Sequence, residues 1–369
     1  MSSNFKQNEL PTEAANVNDA YPIALSLCFS RIFSAILNAA VDLNLFDIIA
    51  KAQNSSGSSL SASEIASQLP FQHSELVTRL ERMLPVLASF SLLTCSIRTT
   101  EDGSRERVYA LSPVGDYFAI ENIGGSLGPL STLVHRGYCD IWNDVKDAIV
   151  DPNNNNHFIN VYGLEPFQYM EKNKELNHLF NKGAALSGLL EMKEILKIYK
   201  GFVGVSTLVD VGGGVGQVLE QVISQYPSMK GINFDLPQVI QHASPHPGIE
   251  HVSGDMFESV PNGDAILLKR VCHNWPDEDC VKVLKICHKA LPEHGKVIIV
   301  DTIYPEVPNS SITSQCVSVV DNLMFLVHGA KERTENEFRS LCSSSGFSKF
   351  HVASSTGSSS VIGVMEFYK

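Results

Sequence analysis

From Tyr21 to Lys51 the apolar residues Ile23, Leu27, Ile32, Ile36, Ala40, Leu43 and Leu45 recur at helical spacing with few charges between them, which predicts helices with a broad apolar face. Such a face needs a cover. Ser61-Ala-Ser-Glu carries the capping-box pattern of a further helix start, Ser74 to Phe90 continues the helical spacing, and Leu92 to Ile97 and Arg107 to Leu111 read as short strands. Helices followed by a hairpin make a winged-helix outline, a shape that can read DNA. Here the segment Ser74-Glu-Leu-Val-Thr-Arg-Leu-Glu-Arg-Met mixes acids with bases and is preceded by the serine-rich neutral stretch Gln53 to Ser63, which argues against that use. Residues Ser126 to Phe180 predict a mostly helical bridge, with Asp151 to His157 as its loop.

From Leu208 the pattern becomes strand, turn, helix, repeated. Lys230 to Phe234, His251 to Ser253, Asp264 to Lys269 and Lys296 to Asp301 are apolar strands, and Asp277 to Ala290 reads as a helix. Two final strands, Phe347 to Ala353 and Val361 to Phe367, flank a polar turn at Ser354 to Ser360. Alternating strands and helices predict an α/β domain with a parallel sheet that binds ligands at the carboxyl ends of its strands. Two domains follow, residues 1–120 and 121–369, and 369 residues suffice for two full cores.

The first strand of that sheet ends in Leu208-Val-Asp-Val-Gly-Gly-Gly-Val-Gly, four glycines in five positions. Glycines there let the backbone turn sharply and approach a ligand that a Cβ would exclude. The dinucleotide fingerprint Gly-x-Gly-x-x-Gly is not met, because counting from Gly212 the last position is Gln217, so a pyrophosphate is disfavoured. Asp235 lies 25 residues after Asp210, where the second strand of such a fold places an acid on ribose hydroxyls. Each such Asp alone reads equally well as a helix cap. Two in successive units behind a glycine loop favour a nucleoside.

Together, Val209-Asp-Val-Gly-Gly-Gly-Val-Gly, Asn233-Phe-Asp-Leu-Pro, Gly254-Asp-Met-Phe, Leu268-Lys-Arg-Val-Cys-His-Asn-Trp, Gly295-Lys-Val-Ile-Ile-Val-Asp and Lys331-Glu-Arg-Thr resemble, in order and over nearly the whole chain, the plant caffeic acid O-methyltransferase type of S-adenosylmethionine-dependent enzymes. The resemblance implies a Rossmann-like methyltransferase domain with a mostly parallel seven-stranded sheet, preceded by a winged-helix dimerisation domain that lends residues to the partner's acceptor pocket. It implies that Gly212 approaches the methionine part of S-adenosylmethionine, that Asp235 takes the ribose, that Asp255 and Met256 hold the adenine, and that Lys269 contacts the cofactor. It makes His273 the catalytic base, oriented by Asp301 and Glu332.

That role is chemically reasonable. A phenol titrating near pH 10 is a poor nucleophile toward a sulfonium until a base removes its proton, and imidazole is poised for this near neutrality. Read without the resemblance, His273 serves a helix start or the core, and Glu332 is a solvated surface charge. The family usually carries Glu where this chain has Asp301, so the hydrogen bond to the ring is expected to be longer or water-mediated. Arg270 and Asn274 replace Trp and Asp, and Ala184 and Ser187 replace Met and His, which implies a reshaped acceptor pocket. Phe180 and Met324 match positions lining the acceptor ring, although core packing is the commoner fate of both types. Leu133, His135 and His328 fall near pocket positions where the family varies. The expected acceptor is a hydroxyl of a plant phenylpropanoid, coumarin, flavonoid or alkaloid. An amine or enol acceptor, a catalytically relaxed cofactor-binding homologue, and a nicotinamide dehydrogenase are the alternatives.

Composition narrows the setting. With 28 basic and 40 acidic residues the net charge is −12, against nucleic acid or an anionic membrane as partner. No run of 18 apolar residues exists and the first residues lack a signal-peptide core, so a cytoplasmic enzyme is expected. Eight cysteines without a Cys-x-x-Cys pair fit reduced thiols, and Cys272, Cys280 and Cys287 read as small buried side chains. The sequons at Asn54 and Asn309 carry little weight in that compartment. No metal is expected, since the acids near His273 already have roles, and the apolar N-terminal helices predict a homodimer.

Overall fold

The computed structural model describes residues 19–120, 124–152, 154, 156–355 and 361–369, the side chains of Ser354 and Ser355 excepted. The N-terminal stretch is helical as its periodicity predicts, in three segments, Ala20–Cys28, Ser30–Asp42 and Leu45–Ser56. Ser61 caps the Ala62–Gln68 helix, with both halves of the capping box formed by Glu64. The Leu76–Ser89 helix and the antiparallel pair β2 (Leu93–Thr99) and β3 (Arg105–Leu111) complete the unit, and a two-residue strand β1 (Leu60–Ser61) adds to β3. Leu45, Phe46, Ile49, Ile65, Leu84 and Leu87 form its core. None of the Ala20–Cys28 helix is buried, and Tyr21 and Leu27 are 75% and 68% exposed.

The bridge is made of short helices. His157, expected in its loop, instead opens the helix His157–Tyr162, because Asn156 accepts the Ile159 N–H and starts a helical turn. Pro166–Lys172 precedes the 25-residue helix Lys174–Ile198, capped by Asn173. This helix carries Phe180, Ala184 and Ser187 on its way to the sheet.

Seven strands form the second sheet: β4 (Thr207–Val211), β5 (Lys230–Asp235), β6 (Ile249–Ser253), β7 (Ala265–Lys269), β8 (Lys296–Asp301), β9 (Lys349–Ser355) and β10 (Gly363–Tyr368), in the order β6-β5-β4-β7-β8-β10-β9. The first five run parallel and β10 pairs antiparallel with β8 and β9. Near-continuous apolar runs such as Ala265–Lys269 are what a parallel strand covered on both faces requires. Positions 356–360 of the expected polar turn lie outside the described residues. The strand order reverses between β4 and β7, and the glycine loop after β4 stands at that switch point. Among the described residues no single helix is long and apolar enough to cross a membrane; Ala20–Cys28 and Ser30–Asp42 reach that apolar length only as a pair bent by 61°.

Candidate functional site

Every residue the sequence singles out for cofactor chemistry stands at the carboxyl end of a parallel strand or in the loop after it. After β4, Gly212, Gly214 and Gly216 all have positive φ, at 73°, 61° and 91°. They differ in what surrounds them. A Cβ on Gly212 would meet Val271 at 3.0 Å, one on Gly213 would run into Asn233 Oδ1 and Asp210 Oδ2, and one on Gly214 would meet nothing within 4 Å. The loop is therefore cradled from behind and open in front of Gly214, next to but not at Gly212, the glycine that the family resemblance assigns to the cofactor. Asp235, at the end of β5, accepts the Gly214 and Leu236 N–H groups at 2.8 and 2.7 Å. Burial raises its pKa, and those two N–H groups oppose the rise. Asp210 is buried, its Oδ2 has no hydrogen-bond partner among the described residues, and burial pushes it up to about 7 against the pull of Lys269.

Asp255 is exposed and accepts the Phe257 N–H at 2.8 Å, while Met256 is half-buried against the core. Lys269 leaves β7 toward the Lys174–Ile198 helix, where its Nζ donates to Glu191 Oε2 at 2.5 Å and comes within 3.3 Å of where a Cβ on Gly188 would stand. Glu191 also accepts from Arg270 Nη2 at 2.8 Å. Burial alone would raise Glu191, but Arg270 and Lys269 hold it at about 2. Nothing in the sequence order flags Glu191, since its partners lie 78 and 79 positions away.

His273 lies in a short 3₁₀ turn after β7. Its Nδ1 is 2.9 Å from Glu332 Oε1 and 3.7 Å from Asp301 Oδ1, while Asp301 Oδ2 accepts the His273 backbone N–H at 3.2 Å. Glu332 therefore holds the ring and Asp301 holds the backbone beneath it. The Asp301 oxygen is too far for a direct bond to the imidazole, as its missing methylene predicts. Both carboxylates are buried, so the surface reading of Glu332 is corrected: its backbone N–H is tied to Asp321 Oδ1 at 2.9 Å, turning the chain inward before the Thr334 helix cap. Burial raises the Asp301 pKa, with His273 opposing and Glu332 adding to the rise. The ligand atoms of His273, Asp301 and Glu332 lie within 4.8 Å of one another, a spacing compatible with a metal ion. The Arg270 guanidinium stands 3.7 Å from Glu332 and 4.0 Å from Asp301, a fixed cation beside the same oxygens.

Next to this centre is an aromatic wall. Phe167 stacks near Trp275, with ring centroids 6.0 Å apart, and meets Phe180 edge-on at 6.2 Å and His328 at 5.5 Å. Burial pushes His328 down to about 3, with the His273 charge adding to the shift. Met324 is buried on the same helix as His328, Ala184 is exposed, and the Ser187 hydroxyl donates to the Gly183 carbonyl at 2.7 Å. Leu133 is buried in the helical bridge and His135 meets Ser34 at 3.2 Å, which brings the bridge against the N-terminal unit. Phe167 and Trp275 were missed in the sequence; Trp275, two places after His273, was the available signal. Cys272, Cys280 and Cys287 are all buried, as expected.

A Rossmann-like sheet with a glycine loop at its switch point, and beside it an imidazole held by a buried carboxylate, defines a class of group-transfer enzymes with a nucleoside-type cofactor. Residues 142–348 match the O-methyltransferase domain, and residues 25–121 match the O-methyltransferase dimerisation domain. The chain is 43% identical over 372 aligned positions to a caffeic acid 3-O-methyltransferase of Prunus dulcis, covering 100% of both chains. It is likewise 43% identical to O-methyltransferase 13 of Lophophora williamsii, covering 95% of this chain and 96% of that one. Human N-acetylserotonin methyltransferase, solved in complex with S-adenosylmethionine, shares the fold with a TM-score of 0.80 at 21% identity, over 97% and 99% of the two chains. The protein belongs to the O-methyltransferase family and is an O-methyltransferase enzyme. Its dimerisation domain supports a homodimer, and its methyltransferase domain implies a small-molecule acceptor.

Proposed function

We propose that this enzyme methylates a phenolic hydroxyl of a small plant aromatic compound, a phenylpropanoid, coumarin, flavonoid or alkaloid, in the cytoplasm and without a nucleic-acid or membrane partner. The observation that carries the proposal is the 2.9 Å contact between His273 Nδ1 and Glu332 Oε1. A carboxylate at Nδ1 keeps the proton there and leaves Nε2 as the basic nitrogen, the tautomer a general base needs. Asp301 fixes the turn that carries the ring. The −12 charge supports the absence of anionic macromolecular partners.

The cofactor is S-adenosylmethionine, which when bound supplies an electrophilic methyl group. The residues fit it: the open side of Gly214 leaves room for a ligand, and the buried Asp210 oxygen without a partner suits a cationic ligand. Asp235 would hold ribose hydroxyls, Asp255 and Met256 the adenine, and Gly212 the methionine part. Lys269 would act through its pairing with Glu191. For the acceptor, Phe167, Phe180, Trp275 and Met324 offer apolar and aromatic contact, and His328, held neutral, adds a polar group without charge. Ala184 and Ser187 leave that wall less filled than larger side chains would. Residues 1–120 would form the dimerisation unit and 121–369 the bridge and catalytic unit. The O-methyltransferase domain sets aside the nicotinamide dehydrogenase, and the intact His273 pairing disfavours a relaxed homologue.

A mass-spectrometric screen of plant phenolics with methyl-labelled cofactor tests the reading. A phenolic product carrying one labelled methyl is expected. Labelling of amines alone, or of nothing in the panel, would overturn the phenol assignment.

A further inference from the structure

Arg270, which stands where the family resemblance leads one to expect Trp, directly follows β7 with φ 55°, a left-handed conformation rare for a side chain of its size. Its guanidinium has four partners. Nη1 donates to Thr302 Oγ1 at 2.7 Å and Nη2 to Glu191 Oε1 at 2.8 Å, while Nη1 stands 3.7 Å from Glu332 Oε1 and 4.0 Å from Asp301 Oδ1. Glu332 Oε1 is also the atom that His273 Nδ1 contacts. One carboxylate oxygen therefore faces an imidazole on one side and a guanidinium on the other. Because Glu191 lies on the Lys174–Ile198 helix, the same guanidinium joins that helix to the His273 turn.

The charges around His273 can be counted. Lys269 and Arg270 are cations; Glu191, Asp301 and Glu332 are anions. The sum is −1. Arg333 lies nearby but is paired with Asp277 at 2.8 Å and with the Cys272 and Trp275 carbonyls, and His328 is neutral, so neither changes the sum; Asp321, which accepts the Glu332 backbone N–H at 2.9 Å, is a further acid behind Glu332, outside the counted group and common to every variant below. A proton taken up by His273 brings the group to zero. Without Arg270 the sum would be −2, and the same carboxylates would draw a proton to the imidazole more strongly.

We propose that Arg270 is a positioning residue for the base: it offsets one of the two buried carboxylates that flank His273, which weakens their joint pull on a proton at the imidazole, and it ties that centre to the Lys174–Ile198 helix through Glu191. The inference rests on the reading of His273 as the base.

The test is a ¹³C-histidine NMR titration of the full-length protein without cofactor, with the His273 resonance assigned by its loss in His273→Ala. Arg270→Ala should raise the His273 midpoint by about one to two pH units, and Arg270→Lys, which restores a cation, should return most of that shift. Glu191→Gln removes one anion and should move the midpoint the other way, which keeps the test decisive if Arg270→Ala does not fold. The acid limb of the kcat/KM profile should follow the midpoints. A midpoint that stays put in a folded Arg270→Ala protein, or that fails to fall in Glu191→Gln, overturns the proposal. Full turnover of a phenol by His273→Ala would instead remove the base reading, a result the titration alone would not give.

Discussion

His273 and Glu332 are 59 positions apart and meet at 2.9 Å between Nδ1 and Oε1, with Glu332 buried. A buried carboxylate with one oxygen on an imidazole and the other without a hydrogen-bond partner among the described residues is costly to keep for stability alone, and this makes a catalytic use of the pair the better account. Glu332→Gln should therefore lower turnover by about 10-fold to 100-fold, by allowing the wrong tautomer, with little change in KM. A parallel rise in KM with turnover intact would show that the pair serves binding instead.

Asp235→Ala tests the ribose assignment. Losing a charged acceptor should weaken cofactor binding by about 1.5–3 kcal/mol, measured by calorimetry. Unchanged affinity would reduce Asp235 to what the structure already shows it doing, accepting the Gly214 and Leu236 N–H groups.

Asp210 gives a pH prediction. Its folded pKa of about 7 lies above the unfolded value near 4, so the folded state binds the extra proton. Its contribution to stability is complete below about pH 4 and is lost as pH rises through 7. Asp210→Asn removes that loss, so between pH 4 and pH 8 the stability of the variant should change less than that of the parent. The difference is bounded at roughly 4 kcal/mol by the size of the shift. Equal pH dependence of the two melting curves would show that Asp210 ionises normally.

Much of this site was legible because its parts are short runs at strand ends: the glycine loop after β4, Asp235 after β5, His273 after β7. Each carries its chemistry within a few residues, and strand alternation places all of them on one edge of the sheet. The sulfonium-directed roles came from the family resemblance, not from spacing. What was illegible depended on chain folding. Glu191 reaches Lys269 and Arg270 from a helix 78 and 79 positions away, and Phe167 joins Trp275 and His328 only because three separate helical segments converge. Glu332 looked exposed because Lys-Glu-Arg-Thr is charged, yet Arg333 beside it is also buried, held by Asp277 and two carbonyls. The strand Leu60–Ser61 was too short to show a period.

The N-terminal helices bear on assembly. Tyr21, Leu27, Phe29 and Ile32 are all more than half exposed, an apolar surface that a second copy would cover. Light scattering should give about twice the 40.4 kDa chain mass, and Leu27→Glu with Ile32→Glu should lower it toward one chain. A single-chain mass for the unmodified protein at micromolar concentration would refute the dimer.

Metal independence is expected even though His273, Asp301 and Glu332 have ligand spacing, because the Arg270 guanidinium stands beside those oxygens and offsets one of the two carboxylate charges. Activity should survive excess EDTA. Loss of activity restored by Mg²⁺ would make the His273 mechanism untenable.

The most direct measurement is the turnover of His273→Ala on a phenolic acceptor, taken together with its affinity for S-adenosylmethionine. General-base catalysis predicts a fall in turnover of about 10²–10⁴ with cofactor affinity nearly unchanged. A variant that binds cofactor normally and keeps most of its turnover would contradict the account at its centre.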